Sequence, residues 1–278
     1  MSTWADRLTE RTRRLGALCV GVDPHPQVLA DWGLADDVAG LESCALGMVE
    51  ALADQVAVFK PQSAFFEAHG SAGVRVLEKL LAAIREAGAL SLLDVKRGDI
   101  GSTMAGYARA YLADSSPLRA DAITVSPYLG VGALQPAVEV AADTGRGLYV
   151  LARTSNPDGA GVQQARPADA ATVAQLVVDQ AQRINDEVGT ALLGLVVGAT
   201  HDDIGVDLTG FAGSLLVPGI GAQGARIEDL PHRFGAAVGQ VLPTTSRAVM
   251  GAGPDPEALR AAAAANVTAM RKIDGSAS

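Results

Sequence analysis

The chain has 278 residues, 49% of them apolar, and can bury a large core as one large domain or two small ones. A formal net charge of −9 without any long basic run argues against nucleic acid or an anionic membrane surface as a partner. That balance leaves room for a phosphate site, because a few amides and one arginine can override it locally.

From the N-terminus onward, the polar opening stretch lacks the apolar core of a secretory leader. Nowhere does the chain offer ~20 uninterrupted apolar residues for a membrane span. Cys19 and Cys44, the only cysteines, form neither a disulfide framework nor a metal spacing. The expectation is a soluble, cytoplasmic protein. Short apolar runs recur at 17–22, 56–59, 90–93, 122–125, 148–151, 192–197, 215–217 and 248–250, as in a parallel sheet buried on both faces. Between them, 41–52, 74–86, 133–142, 170–187 and 257–270 carry apolar residues at spacings of three and four, which predicts helices. Asp169 and Asp255 read as helix starts, and Gly88 as a helix stop. Strand–helix alternation sustained eight times predicts a single-domain α/β fold, a (β/α)8 TIM barrel over residues 1–273 with a flexible tail at 274–278. The short interval between the sixth and seventh strands predicts a stunted sixth helix. The segment 154–167, rich in Gly, Pro and Asn, reads as a loop over the barrel mouth.

Barrels gather function at the C-terminal ends of their strands. Those ends carry Asp23, Lys60, the trio Asp94, Lys96 and Asp99, then Thr124 to Pro127, Arg153 to Asn156, and Gly219 to Gly224; the eighth strand is expected to begin near Ser246-Arg247. Asp94 and Lys96 lie two apart on a strand and so share a face. Two lysines and two or three carboxylates in one cavity are costly to desolvate unless paired. Such an array points to chemistry more than to a plain salt-bridge network. Gly219-x-Gly221-x-x-Gly224 matches a dinucleotide fingerprint, but too little chain follows it for such a domain. It reads better as a glycine-rich loop whose amides approach a phosphate, with Gln223 and Arg247 as further donors; a plain tight turn is the bland alternative. The four histidines show no metal-ligand spacing, and His201-Asp202-Asp203 reads as a helix start. No Gly-x-Ser-x-Gly elbow is present.

Asp94-Val-Lys96-Arg-Gly-Asp99-Ile-Gly-Ser-Thr103 resembles the Asp-x-Lys-x-x-Asp-Ile-Gly-x-Thr signature of the orotidine 5'-phosphate decarboxylase family. Gly21-Val-Asp23-Pro, Phe59-Lys60-Pro-Gln, Thr154-Ser155-Asn-Pro, Pro218-Gly-Ile-Gly-Ala-Gln223-Gly and Ser246-Arg247 extend the resemblance in the family's order, in the manner of its longer bacterial branch. The resemblance implies a lyase of pyrimidine biosynthesis that turns orotidine 5'-phosphate into uridine 5'-phosphate with no cofactor and no metal. It implies Lys60, Asp94, Lys96 and Asp99 as the catalytic charges, with Lys96 stabilising the C6 carbanion and then protonating it. Asp23 and Lys60 would meet the ribose hydroxyls, Ser155 the amide edge of the pyrimidine, and Gln223 and Arg247 the phosphate. Asp99 and Thr103 would enter the neighbouring subunit's site, which implies a homodimer with shared active sites. The alternatives are a Mg2+-dependent sugar-phosphate lyase, against which Asp99-Ile-Gly-x-Thr103 speaks, a lysine Schiff-base aldolase, and a barrel that only binds nucleotides.

Overall fold

The computed structural model describes residues 2–168, 170–221 and 223–273. Eight parallel strands close into a barrel in the order β1-β2-β3-β4-β5-β6-β7-β8. They are β1 Cys19–Val22, β2 Val58–Pro61, β3 Leu90–Arg97, β4 Ala122–Val125, β5 Gly147–Arg153, β6 Leu193–Val197, β7 Leu215–Val217 and β8 Val241–Thr245. Around and between them run α1 Trp4–Leu15, α2 Pro26–Asp31, α3 Val38–Leu52, α4 Ser63–Glu67, α5 Gly70–Glu86, α6 Gly101–Leu112, α7 Gln135–Thr144, α8 Ala160–Gln163, α9 Val173–Val188, α10 Leu230–Phe234, α11 Arg247–Met250 and α12 Pro256–Ile273. The fold is the expected (β/α)8 barrel.

Two cores follow from the two-residue period of a strand. Outward residues such as Val20, Phe59, Leu93, Ile123 and Val150 pack under the helices. Inward residues, among them Cys19, Val58, Leu90, Leu92, Ala122, Tyr149, Val196, Leu216 and Leu242, fill the barrel. Helix α1 plugs its lower end. Trp4 and Leu8 join the inner core, and the Trp4 ring meets Tyr149 edge-on at 6.0 Å. Gly147 is required there, since a Cβ would come within 2.5 Å of Trp4. Arg11 anchors the same helix by donating to the carbonyls of Ala53, Val56, Ala57 and Gly88.

Several expectations need correction. The eighth strand is β8, Val241–Thr245, and residues 248–250 lie in α11; Pro243 inside the strand argued against it in sequence. Ser246-Arg247 therefore follows the strand instead of opening it, at the same rim of the barrel. No helix, stunted or otherwise, occupies 198–214, so His201 starts none; turns and bends connect β6 to β7. The segment 154–167 is not wholly irregular, because Pro157–Gly159 forms a 3-10 turn and α8 follows it. Helices α1 and α6 are additions to the predicted set. Asp255 does precede α12 and accepts from the Glu257 amide at 3.3 Å, and Gly88 does follow α5 with φ +67°. Asp169 and residues 274–278 lie outside the described residues; Thr172 caps α9 through the Gln175 amide.

Candidate active site

Continuing each strand's inward series upward by one step leads from apolar residues to the floor of a cavity of about 530 Å³. Above Val58 stands Lys60, above Leu92 Asp94, above Ala122 Thr124, and above Leu242 Thr244. On the β5–β7 side the floor is apolar, made by Leu151, Val196 and Leu216. The cavity therefore has a charged half and an apolar half, open at the C-terminal ends of the strands.

Asp94 is the hub of the charged half. Its Oδ2 accepts from Lys60 Nζ at 3.1 Å, and its Oδ1 from Lys96 Nζ at 2.7 Å and from the Thr124 hydroxyl at 2.7 Å. The side chains of Lys60 and Asp94 are each 10% exposed, whereas that of Lys96 is 46% exposed and reaches into the opening. Burial alone would raise the Asp94 carboxyl; the Lys60 and Lys96 charges and the hydrogen bonds from Lys96 and Thr124 overcome it and hold the group well below the usual carboxylate range. Burial would likewise lower Lys60, but Asp94, with Asp23 beyond it, holds its ammonium above the ordinary lysine value. These two groups keep their charges across the whole neutral range.

Lys96 has φ +45°, a left-handed conformation that costs a non-glycine residue about 1–3 kcal/mol. The β3–β4 register shifts between Leu93 and Arg97 to accommodate it, and the Lys96 amide donates to Thr124 Oγ1 at 2.9 Å. Thr124 thus ties the backbone of Lys96 to the carboxylate of Asp94.

Asp23 stands at the end of β1, the strand next to that of Lys60. Its amide donates to the Met250 sulfur at 3.2 Å, and its Oδ1 is buried with no partner among the described residues, an acceptor without a donor. Ser155, Gln223 and Arg247 also face the cavity. The Ser155 carbonyl accepts from Thr200, and Gln163 fixes the preceding residue by accepting from the Thr154 amide at 3.0 Å and donating to its hydroxyl at 2.7 Å. The glycine loop folds on itself: the amides of Gly221, Gly224 and Ala225 bind the carbonyls of Ala225, Gly221 and Gly219. Those three amides are committed within the loop, and the Gln223 and Arg247 side chains line the same rim.

Seven of the nine residues singled out in sequence thus meet in one cavity. Asp99 and Thr103 do not line it. Asp99 is half-buried at the end of β3, its Oδ1 capping the Ile100 amide at 2.8 Å, and Thr103 is exposed on the first turn of α6. Ile100, next to Asp99, and Tyr128 and Leu129, in the segment after β4, are 61%, 81% and 54% exposed, unusual for such large apolar side chains. Sequence reasoning placed Thr124 at a strand end without giving it a role, and missed Thr244 and Gln163. The two threonines had a signal, their place one step above Ala122 and Leu242; Gln163 had none. No three His, Cys, Asp or Glu side chains among the described residues are grouped to hold a metal, at His201-Asp202-Asp203 or elsewhere. Among the described residues no helix is long and apolar enough to cross a membrane.

Comparison with known proteins places this geometry. A protein from Salinispora arenicola named orotidine 5'-phosphate decarboxylase is 58% identical over 266 residues, 95% of each chain. A crystal structure from Streptomyces avermitilis superposes with a TM-score of 0.92 at 53% identity, covering 98% of this chain and 96% of that one. The structure of Leishmania donovani OMP decarboxylase gives 0.79 at 31% identity, covering 97% and 99%. The model of the Orotidine 5'-phosphate decarboxylase / HUMPS family matches residues 16–262, and the chain belongs to that family.

Proposed function

We propose that the protein removes CO2 from orotidine 5'-phosphate to give uridine 5'-phosphate. The observation that carries this reading is the Lys60–Asp94–Lys96 array in the floor of the cavity. A nucleoside monophosphate suits a cavity of about 530 Å³. The breaking bond joins C6 of the pyrimidine to its carboxylate; the electron pair stays on C6 and CO2 departs. That carbon cannot delocalise the pair, so fixed charge must stabilise it. Lys96 Nζ, the exposed lysine, stands where it can do so and can then give its proton to C6, regaining one from water. Asp94 keeps Lys96 oriented, and its charge facing the substrate carboxylate is relieved as CO2 leaves.

The remaining residues serve as grips. The unpartnered Asp23 Oδ1 suits a ribose hydroxyl, with Lys60 beside it; Ser155 suits the amide edge of the base, and Arg247 with Gln223 the phosphate. Those grips are remote from the breaking bond, so their binding energy can order the site and raise turnover as well as affinity. Asp99 and Thr103 face away from their own cavity, and the large apolar Ile100, Tyr128 and Leu129 are exposed, which supports a homodimer in which Asp99 and Thr103 complete the neighbour's site. The buried free cysteines Cys19 and Cys44 suit a reducing, cytoplasmic compartment. The test is to incubate the purified protein with orotidine 5'-phosphate in EDTA and quantify both products. Equimolar CO2 and uridine 5'-phosphate support the proposal, and unchanged substrate defeats it.

A further inference from the structure

Arg97 follows Lys96 and lies on the other side of the strand end, outside the cavity. Its guanidinium donates to Glu67 Oε1 at 2.6 Å and to the Tyr111 hydroxyl at 3.3 Å. It also lies over the rings of Tyr107 and Tyr111, at 5.5 and 5.9 Å from their centroids. Glu67 in turn accepts from the buried Ser63 hydroxyl at 2.6 Å, at the start of the helix that follows Lys60 on β2. Tyr107 and Tyr111 belong to α6, which follows Asp99. One side chain therefore joins the end of β3 to the end of α4 and to the second half of α6.

The backbone at this point needs holding. Lys96 is left-handed, and the strained turn is pinned before it by the Lys96 amide on Thr124 and after it by the Arg97 carbonyl, which accepts from the Ser126 amide at 2.8 Å. Gly98 closes against the same segment, since a Cβ there would come within 2.4 Å of the Ser126 carbonyl oxygen. Among these supports Arg97 alone reaches both neighbouring helices. A planar guanidinium can stack on two rings while still donating to a carboxylate, which an ammonium cannot reproduce in full.

We propose that Arg97 is a positioning residue for the decarboxylation: by clamping β3 between α4 and α6, it keeps Lys96 strained and aimed at Asp94 while directing the chain outward to Asp99. A surface ion pair without this role would contribute little. The inference rests on the proposed decarboxylase function. Sub-ångström displacement of a reacting group is enough to lower turnover, so Arg97→Met is expected to reduce kcat about 10- to 100-fold. Affinity for uridine 5'-phosphate should stay unchanged, because Arg97 does not line the cavity. Arg97→Lys should recover part of the loss. A folded Arg97→Met protein with kcat near that of the wild type, an equal loss of product affinity, or no recovery in Arg97→Lys would overturn the proposal. If Arg97→Met does not fold, Glu67→Gln decides on kcat and product affinity, with a smaller fall in kcat alone expected and none contradicting. A wild-type protein without decarboxylase activity defeats the functional reading itself, whereas an active wild type with an indifferent Arg97 defeats only this inference.

Discussion

Lys60 and Asp94 face each other from adjacent strands across the barrel floor, 3.1 Å apart and almost fully withdrawn from water. Their charges sustain one another. Removing Asp94 leaves Lys60 buried with only the more distant charge of Asp23, whereas removing Lys60 still leaves Asp94 its bonds from Lys96 and Thr124.

The pH dependence follows from the direction of each shift. Asp94 is depressed, so its contribution to stability is fully present above its unfolded value near 3.9 and is lost as the pH falls toward the folded one. Lys60 is raised, so its contribution is fully present below its unfolded value near 10.4 and lost only as the pH rises through the folded one. Asp94→Asn should cost roughly 3–5 kcal/mol at pH 7. That gap should narrow at pH 3, where the wild type has begun to lose the same contribution. Urea unfolding of both proteins at the two pH values measures it, and a gap that does not change with pH would contradict the coupling.

Thr124 carries a second expectation. Its hydroxyl donates to Asp94 and accepts from the strained Lys96 amide, so Thr124→Val deprives both of a partner. A lost buried hydrogen bond of this kind costs about 1–3 kcal/mol. If the bond positions Lys96, kcat should fall roughly tenfold with little change in KM. Steady-state kinetics decide; a valine variant with wild-type kcat would show that the bond only stabilises the fold.

The legible part of the site was the part set by strand periodicity. Asp94 and Lys96 share a face because they are two apart, and Lys60 on the adjacent strand points into the same cavity and reaches the Asp94 carboxylate. Thr124 was visible as a strand end, but its partnership was not, because the register shift between β3 and β4 brings its hydroxyl under the Lys96 amide. Nor does a lysine announce a left-handed backbone, as a glycine can. The eighth strand was misplaced because Pro243 interrupts it and a short apolar run follows nearby. Helix α6 carries Gly101 and Gly106, which weaken a helical reading. Gln163 holds Thr154 through loop geometry with no period to betray it.

Asp99 stands half-buried at the end of β3 and away from the cavity, which leads to a complementation experiment. Lys96→Ala and Asp99→Ala proteins should each be inactive. Mixed under conditions that exchange subunits, they should regain activity, because in the proposed homodimer a hybrid carries one intact site. Assay of the mixture with exchange verified by mass spectrometry tests this; exchange without recovery would contradict a shared site.

Lys96 is the residue proposed to bear the chemistry. It is the lysine of the array that reaches from Asp94 into the cavity opening. The most direct measurement is the decarboxylation rate of Lys96→Ala beside the wild type, with binding of uridine 5'-phosphate followed in parallel. A loss in kcat/KM of roughly 10⁴-fold or more is expected while the product still binds. Turnover within about tenfold of the wild type would contradict that role, since the catalytic proton and the stabilising charge would then have another source.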